Sequence, residues 1–149
     1  MNTILFPGSF NPFTVGHQSL VGRILPLFDR VVIAVGFNSC KRDSCPVSER
    51  VAAIEKLYAS EPKVKVVAYE GLTVDVCRRE EARWMLRGVR STVDFEYERN
   101  LADINRRISG IETLLLFTLP EYAAVSSSVV RELEAYGCDV SGFLPKIEK

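Results

Sequence analysis

Val31 to Val35, inside the run Arg30 to Phe37 (RVVIAVGF), is apolar at every position. A strand with one face in water alternates apolar with polar side chains, so an unbroken run predicts a strand covered on both faces. That requirement calls for helices on either side of a mostly parallel sheet. Four shorter runs share the character: Thr3 to Leu5, ending at Pro7; Val64 to Ala68; Trp84 to Leu86; and Thr113 to Leu119, stopped by Pro120. Stretches with helical spacing lie between them. Leu20, Ile24, Leu27 and Phe28 follow the first strand; Val51, Ile54, Leu57 and Tyr58 follow the second, with Ser48 as the expected N-cap and Pro62 as the stop. Leu72 to Arg83 comes next, with Val74, Val76 and Cys77 inward. Ser91 to Ile108 is the longest helix, ended by Gly110, and Phe95, Leu101 and Ile104 to Ile108 are expected to face the core. Val129, Val130 and Leu133 mark a fifth. Residues 1–149 therefore predict one α/β domain, a Rossmann-like, doubly wound, five-stranded parallel sheet flanked by helices. The tail from Asp139 is expected to dock as a short helix or strand end.

In such sheets ligands bind beyond the carboxyl ends of the strands. After the first strand comes FPGSFNPFTVGH, Phe6 to His17, with the only histidine of the sequence in the expected first turn of a helix. Glycine allows a close backbone approach, and a helix N-terminus offers unpaired N–H groups and positive dipole. The loop after the second strand holds Lys41 and Arg42. Arg87, Gly88 and Arg90 are expected just past the fourth strand, where two arginines around a glycine can clamp an anion. Ser126, Ser127 and Ser128 stand at the start of the last helix, positions where serines serve as caps. All of these loops are expected to open on one edge of the sheet, and their shared chemistry is phosphate binding.

Nineteen basic residues balance nineteen acidic ones, so no bulk charge attracts nucleic acid or an anionic membrane, and phosphate affinity must come from local placement. No run approaches membrane-spanning length and no secretory leader is visible, which makes the cytoplasm the expected compartment. Cys40, Cys45, Cys77 and Cys138 lack metal-binding spacing and read as free thiols, and no metal ligands are expected.

Thr14-Val15-Gly16-His17 matches the (S/T)-x-G-H signature of the nucleotidyltransferase superfamily. With PGSFNPFTVGH (Pro7 to His17), the SCKR loop at Lys41, RGVRSTVDFEYE (Arg87 to Glu98) and VSSS (Val125 to Ser128), nearly the whole chain resembles the bacterial phosphopantetheine adenylyltransferases. The resemblance implies transfer of AMP from ATP to 4'-phosphopantetheine, giving dephospho-coenzyme A and pyrophosphate. It implies His17, Lys41 and Arg90 in catalysis, with Ser9, Phe10, His17, Gly88, Arg90, Glu98 and Ser126 to Ser128 at ATP. It places Ser9, Lys41, Leu72, Thr73 and Arg87 at the phosphopantetheine. It further implies Mg2+ entering with ATP, coenzyme A as a feedback ligand, and a homohexamer. Asn11 stands where the family commonly has Asp, and Tyr122 where many members have Trp.

Overall fold

The computed structural model describes residues 1–40 and 45–147. Its sheet has five parallel strands: β1 (Thr3–Gly8), β2 (Arg30–Gly36), β3 (Val64–Tyr69), β4 (Trp84–Val89) and β5 (Glu112–Phe117). Their spatial order is β3-β2-β1-β4-β5. The helices are α1 (Val15–Ile24), α2 (Val47–Leu57), α3 (Thr73–Arg79), α4 (Thr92–Ser109) and α5 (Ser127–Ala135). The two faces of the sheet carry separate cores. On one, Ile4, Phe6, Val31, Ile33 and Val35 pack with Leu20, Val21 and Ile24 of α1 and Ile54 of α2. On the other, Leu5, Val32 and Ala34 pack with Val74, Val76 and Cys77 of α3. Successive residues of β2 thus enter opposite cores, which is why its sequence has no polar alternation.

The order of strands reverses between β1 and β4, and there the sheet opens. β1 pairs with β2 along its whole length, from Thr3↔Arg30 to Gly8↔Val35, but with β4 only at Ile4↔Trp84 and Leu5↔Met85. Beyond Leu5 the β1/β4 ladder is spent, so Pro7 continues the strand without forfeiting a bond on that side. This explains why β1 runs to Gly8 rather than ending at Pro7.

Other boundaries move for local reasons. Arg87 and Gly88 lie inside β4, not past it, because β5 supplies ladder partners at Leu115 and Leu116. Gly88 admits α1 closely: a Cβ there would stand 2.7 Å from Leu20 Cδ1. α2 starts after Pro46, so Ser48 sits in its first turn and is not the cap. Pro26 breaks α1 into a 3₁₀ turn, Leu25–Leu27, which leaves Leu27 exposed while Phe28 is buried. α3 stops at Arg79, four residues before the expected end; Glu81 takes φ +58° and Ala82 turns into the core. The tail contributes a short 3₁₀ turn, Ser141–Phe143, and Lys146 O accepts from Gln18 Nε2 of α1 at 2.9 Å.

The largest departure is α4. Phe95, Ile104 and Ile108, expected in the core, are exposed, and the helix's only buried residue is Glu98. Its inward stripe is Asp94, Glu98, Leu101, Ala102 and Asn105, at helical spacing but half polar. That face lines cavities instead of a core.

Candidate active site

Thr14 and His17 set the start of α1. Thr14 Oγ1 accepts from the His17 N–H at 3.4 Å, and the Thr14 N–H donates to His17 Nδ1 at 2.9 Å. This is a capping box with an imidazole in the place of the usual Glu or Gln. A backbone N–H can only donate, so Nδ1 is unprotonated and the neutral ring carries its proton on Nε2. Phe6, Phe10 and Phe13 surround the ring, with centroids 6.1, 5.0 and 5.3 Å away. Burial, and then the charges of Arg90 and Arg87, lower the His17 pKa from 6.5 to about 4. At neutral pH the residue is therefore an uncharged donor of fixed tautomer on the wall of a cavity.

That cavity, of about 370 Å³, opens over the β1/β4 split and is lined by Ser9, Phe10, His17, Gly88, Arg90 and Ser126 to Ser128, among others. A second, of about 340 Å³, lies between the ends of β1 and β4, the start of α3 and the inward stripe of α4. Leu72, Thr73, Met85, Leu101 and Asn105 line it. Pro7, Arg87 and Glu98 border both. Arg87 donates from Nε and Nη2 to the two carboxylate oxygens of Glu98, each at 2.8 Å, and from Nη1 to Pro7 O at 3.1 Å. The last bond spans the split where β1 and β4 no longer pair. Burial works against the guanidinium's charge, but the Glu98 carboxylate more than offsets it and holds the Arg87 pKa above its usual value. Three of five donors are used, so two remain for a ligand.

Opposite His17, the start of α5 closes the first cavity. Ser126 is the N-cap, its Oγ accepting from the Val129 N–H at 3.2 Å; Ser127 Oγ donates to Pro12 O at 2.7 Å. Capping and ligand binding are compatible here, because α1 and α5 both direct their N-terminal N–H groups and dipoles at this space. Arg131, one turn into α5, donates to Ser128 Oγ at 3.3 Å and also to Asn11 O. Arg90 Nε donates to Asp94 Oδ2 at 3.3 Å across an exposed i, i+4 pair, a contact that screening makes weak. The site therefore gathers three arginines, one neutral imidazole and two helix starts, against two carboxylates already engaged by arginines.

Of the residues singled out in the sequence, Ser9, Phe10, His17, Gly88, Arg90 and Ser126 to Ser128 meet in the first cavity, Leu72 and Thr73 in the second, and Arg87 and Glu98 between the two. Lys41 and Arg42 lie outside the described residues. Arg131, Asp94 and Asn105 were not anticipated. Arg131 had a readable signal, a cation one helical turn after the serine run; Asn105 had one only once the inward face of α4 was known. No group of three or more His, Cys, Asp or Glu gathers in metal-binding geometry among the described residues. None of their helices is long and apolar enough to cross a membrane.

Residues 5–133 match the cytidylyltransferase-like family. The phosphopantetheine adenylyltransferase of Phocaeicola vulgatus is 52% identical over 146 residues, 98% of this chain and 97% of that protein. Those of Bacteroides fragilis and Porphyromonas gingivalis are each 50% identical, covering 98% and 97% of this chain and 97% and 95% of their own. Among solved structures, a Vibrio parahaemolyticus protein described as a nicotinate-nucleotide adenylyltransferase superposes with a TM-score of 0.66 at 18% identity, over 98% of this chain and 95% of that one. That likeness speaks for the fold. With the relatives' identity spread over nearly its full length, the chain belongs to the cytidylyltransferase-like family and, within it, to the phosphopantetheine adenylyltransferases.

Proposed function

We propose that the chain transfers the adenylyl group of ATP to 4'-phosphopantetheine, forming dephospho-coenzyme A and pyrophosphate in coenzyme A biosynthesis. The observation that carries this reading is the pair of cavities meeting at Arg87 and Glu98. One is polar and ringed by phosphate-binding groups, fit for a nucleoside triphosphate. The other is longer in apolar and amide-bearing side chains, fit for a pantetheine arm whose phosphate reaches Arg87.

An oxygen of the acceptor phosphate attacks the α-phosphorus of ATP in line, and the bond from that phosphorus to the bridging oxygen of pyrophosphate breaks. The acceptor is already ionised at neutral pH, so no general base is needed; orientation and charge stabilisation supply the rate. His17 Nε2–H donates to a phosphate oxygen without adding a full charge, while Arg90 offsets charge building toward the leaving pyrophosphate. Arg87 holds the acceptor phosphate, and Lys41 bridges it to the α-phosphate. Ser9, Phe10, Gly88 and Glu98 border the nucleotide, Ser126 to Ser128 its β- and γ-phosphates, and Ser9, Leu72 and Thr73 the acceptor. Magnesium bound to ATP would supply neutralisation of phosphate charge, and with Asp94 and Glu98 held by arginines it would be held mainly by phosphate oxygens. On this reading coenzyme A, which contains the acceptor's pantetheine arm, would bind the second cavity as a feedback ligand. A homohexamer in the cytoplasm completes the reading; the outward apolar face of α4 supports self-association.

The test is pyrophosphate release from purified protein with ATP and Mg2+, with and without 4'-phosphopantetheine, beside His17→Ala and Lys41→Ala. Acceptor-dependent release that collapses in both variants supports transfer. ATP binding with no release in the unaltered protein would instead make it a nucleotide-sensing module.

A further inference from the structure

Arg50 is the only basic residue buried among the described ones, at 4% relative exposure. It sits on α2 and is absent from the lining of both cavities. Its guanidinium donates to three backbone carbonyls: Ser9 O at 2.6 Å, Gly36 O at 3.1 Å and Cys45 O at 3.0 Å. These belong to the loop after β1, the last residue of β2 and the approach to α2. One planar fork therefore ties together three segments at the edge of the sheet where the first cavity opens.

The Ser9 contact bears on ligand binding through the geometry of the peptide. The Ser9 C=O and the Phe10 N–H share one planar trans unit and point in opposite directions. With the carbonyl held toward Arg50, the Phe10 N–H is turned to the far side. Phe10 adopts φ +47°, in the left-handed region that non-glycine residues enter at a cost, so neighbouring groups must hold it there. Gly8 is part of that support: a Cβ on it would stand 2.9 Å from Phe10 Cζ, so only glycine leaves room for the ring. Neither the Ser9 nor the Phe10 N–H donates to a protein acceptor among the described residues. Both residues line the first cavity. Adjacent N–H groups left unpaired at a turn form a concave anion site.

We propose that Arg50 is a positioning residue for the nucleotide, fixing the Ser9–Phe10 peptide so that the Phe10 N–H, beside that of Ser9, faces a phosphate. The nature of that anion rests on the adenylyl-transfer reading. Lysine cannot take over the task, because an ammonium supplies charge but not a planar fork that spans three carbonyls.

The experiment compares unaltered protein with Arg50→Lys and Arg50→Ala, measuring ATP affinity by calorimetry, KM for 4'-phosphopantetheine, kcat, and melting temperature. ATP binding is expected to weaken about tenfold or more in both variants, the loss carried by one charge-assisted hydrogen bond, and to fall by more than KM for the acceptor rises, although Ser9 borders both ligands. Millimolar methylguanidine is expected to restore ATP binding to Arg50→Ala, and methylamine is not. Unchanged ATP affinity in a folded variant overturns the inference. So does a parallel loss for both ligands that merely follows the melting temperature. If Arg50→Ala does not fold, Arg50→Lys carries the test alone. Absence of turnover in the unaltered protein sinks adenylyl transfer, whereas the ATP affinities still decide the role of Arg50.

Discussion

The tautomer and charge of His17 can be checked directly, because it is the only histidine in the chain and gives one set of imidazole signals. The perturbation is pH, lowered from 8 to 4 with the ring nitrogens followed by NMR. The folded pKa of about 4 lies below the ordinary 6.5. At about 1.4 kcal/mol per pH unit, the gap disfavours the imidazolium by on the order of 3 kcal/mol. The ring is therefore expected to stay neutral through the physiological range, with Nε2 bearing the proton and Nδ1 accepting from Thr14. The sign for stability follows from proton counting: between pH 6.5 and 4 the unfolded chain binds more protons at this residue than the folded one. Its contribution is complete above about pH 6.5 and declines as pH falls toward 4, visible as a falling urea midpoint. The pH profile of kcat/KM should show no imidazole ionisation near 6.5. His17→Gln, whose amide oxygen can accept from the Thr14 N–H while its NH2 keeps a donor, should retain more activity than His17→Ala. Complete removal of the donor is expected to lower kcat by about 10² to 10³. A ring that titrates near 6.5 in the folded protein, or carries its proton on Nδ1, refutes this reasoning.

Glu98→Ala leaves Arg87 without its carboxylate. Since the Arg87 side chain is 30% exposed, the cost should fall below that of a fully buried pair, at about 1–3 kcal/mol in urea unfolding, with KM raised for both substrates. Gly88→Ala forces a methyl against Leu20 and should destabilise by about 1–3 kcal/mol; the loss should shrink in a Leu20→Ala background, measured by the same unfolding assay. Thr14→Ala removes the α1 cap, with about 1 kcal/mol lost in thermal unfolding and reduced kcat from a freer His17. Ile104→Arg places a charge on the outer face of α4, which is 55% exposed at that residue; analytical ultracentrifugation should show a smaller assembly with each chain still folded.

The framework was readable because its physics is local in sequence. The apolar run of β2 announced a sheet covered on both faces, and Gly110 ended α4 where a left-handed residue was needed. The anion loops were readable for a related reason, since a parallel sheet places every loop after a strand on the same edge. Pairing was not readable. Arg87 and Gly88 look like loop residues until β5 is known to lie alongside them. Nothing in the sequence marks Arg50, and only the folded chain brings three carbonyls to it.

α4 shows why the apolar stripe misled. Periodicity reports which face of a helix is apolar, and the inference that this face turns inward assumes that the interior is a core. Here the interior beside β4 is two cavities sharing a wall. A helix bordering such space must present groups that hold an arginine and meet polar ligands, so Asp94, Glu98 and Asn105 turn inward. The apolar residues are then left outside, where burial requires another surface. A chain with no net charge reaches phosphate chemistry by the same placement: Glu98 uses only part of the Arg87 donor set, and two helix starts add positive potential without a titratable group. Reversing the stripe, with Glu98→Leu and Ile104→Glu together, would match α4 to an ordinary core-facing helix. It would also strip Arg87 of its partner, so the double variant should lose acceptor-dependent turnover even where circular dichroism shows the helix content retained.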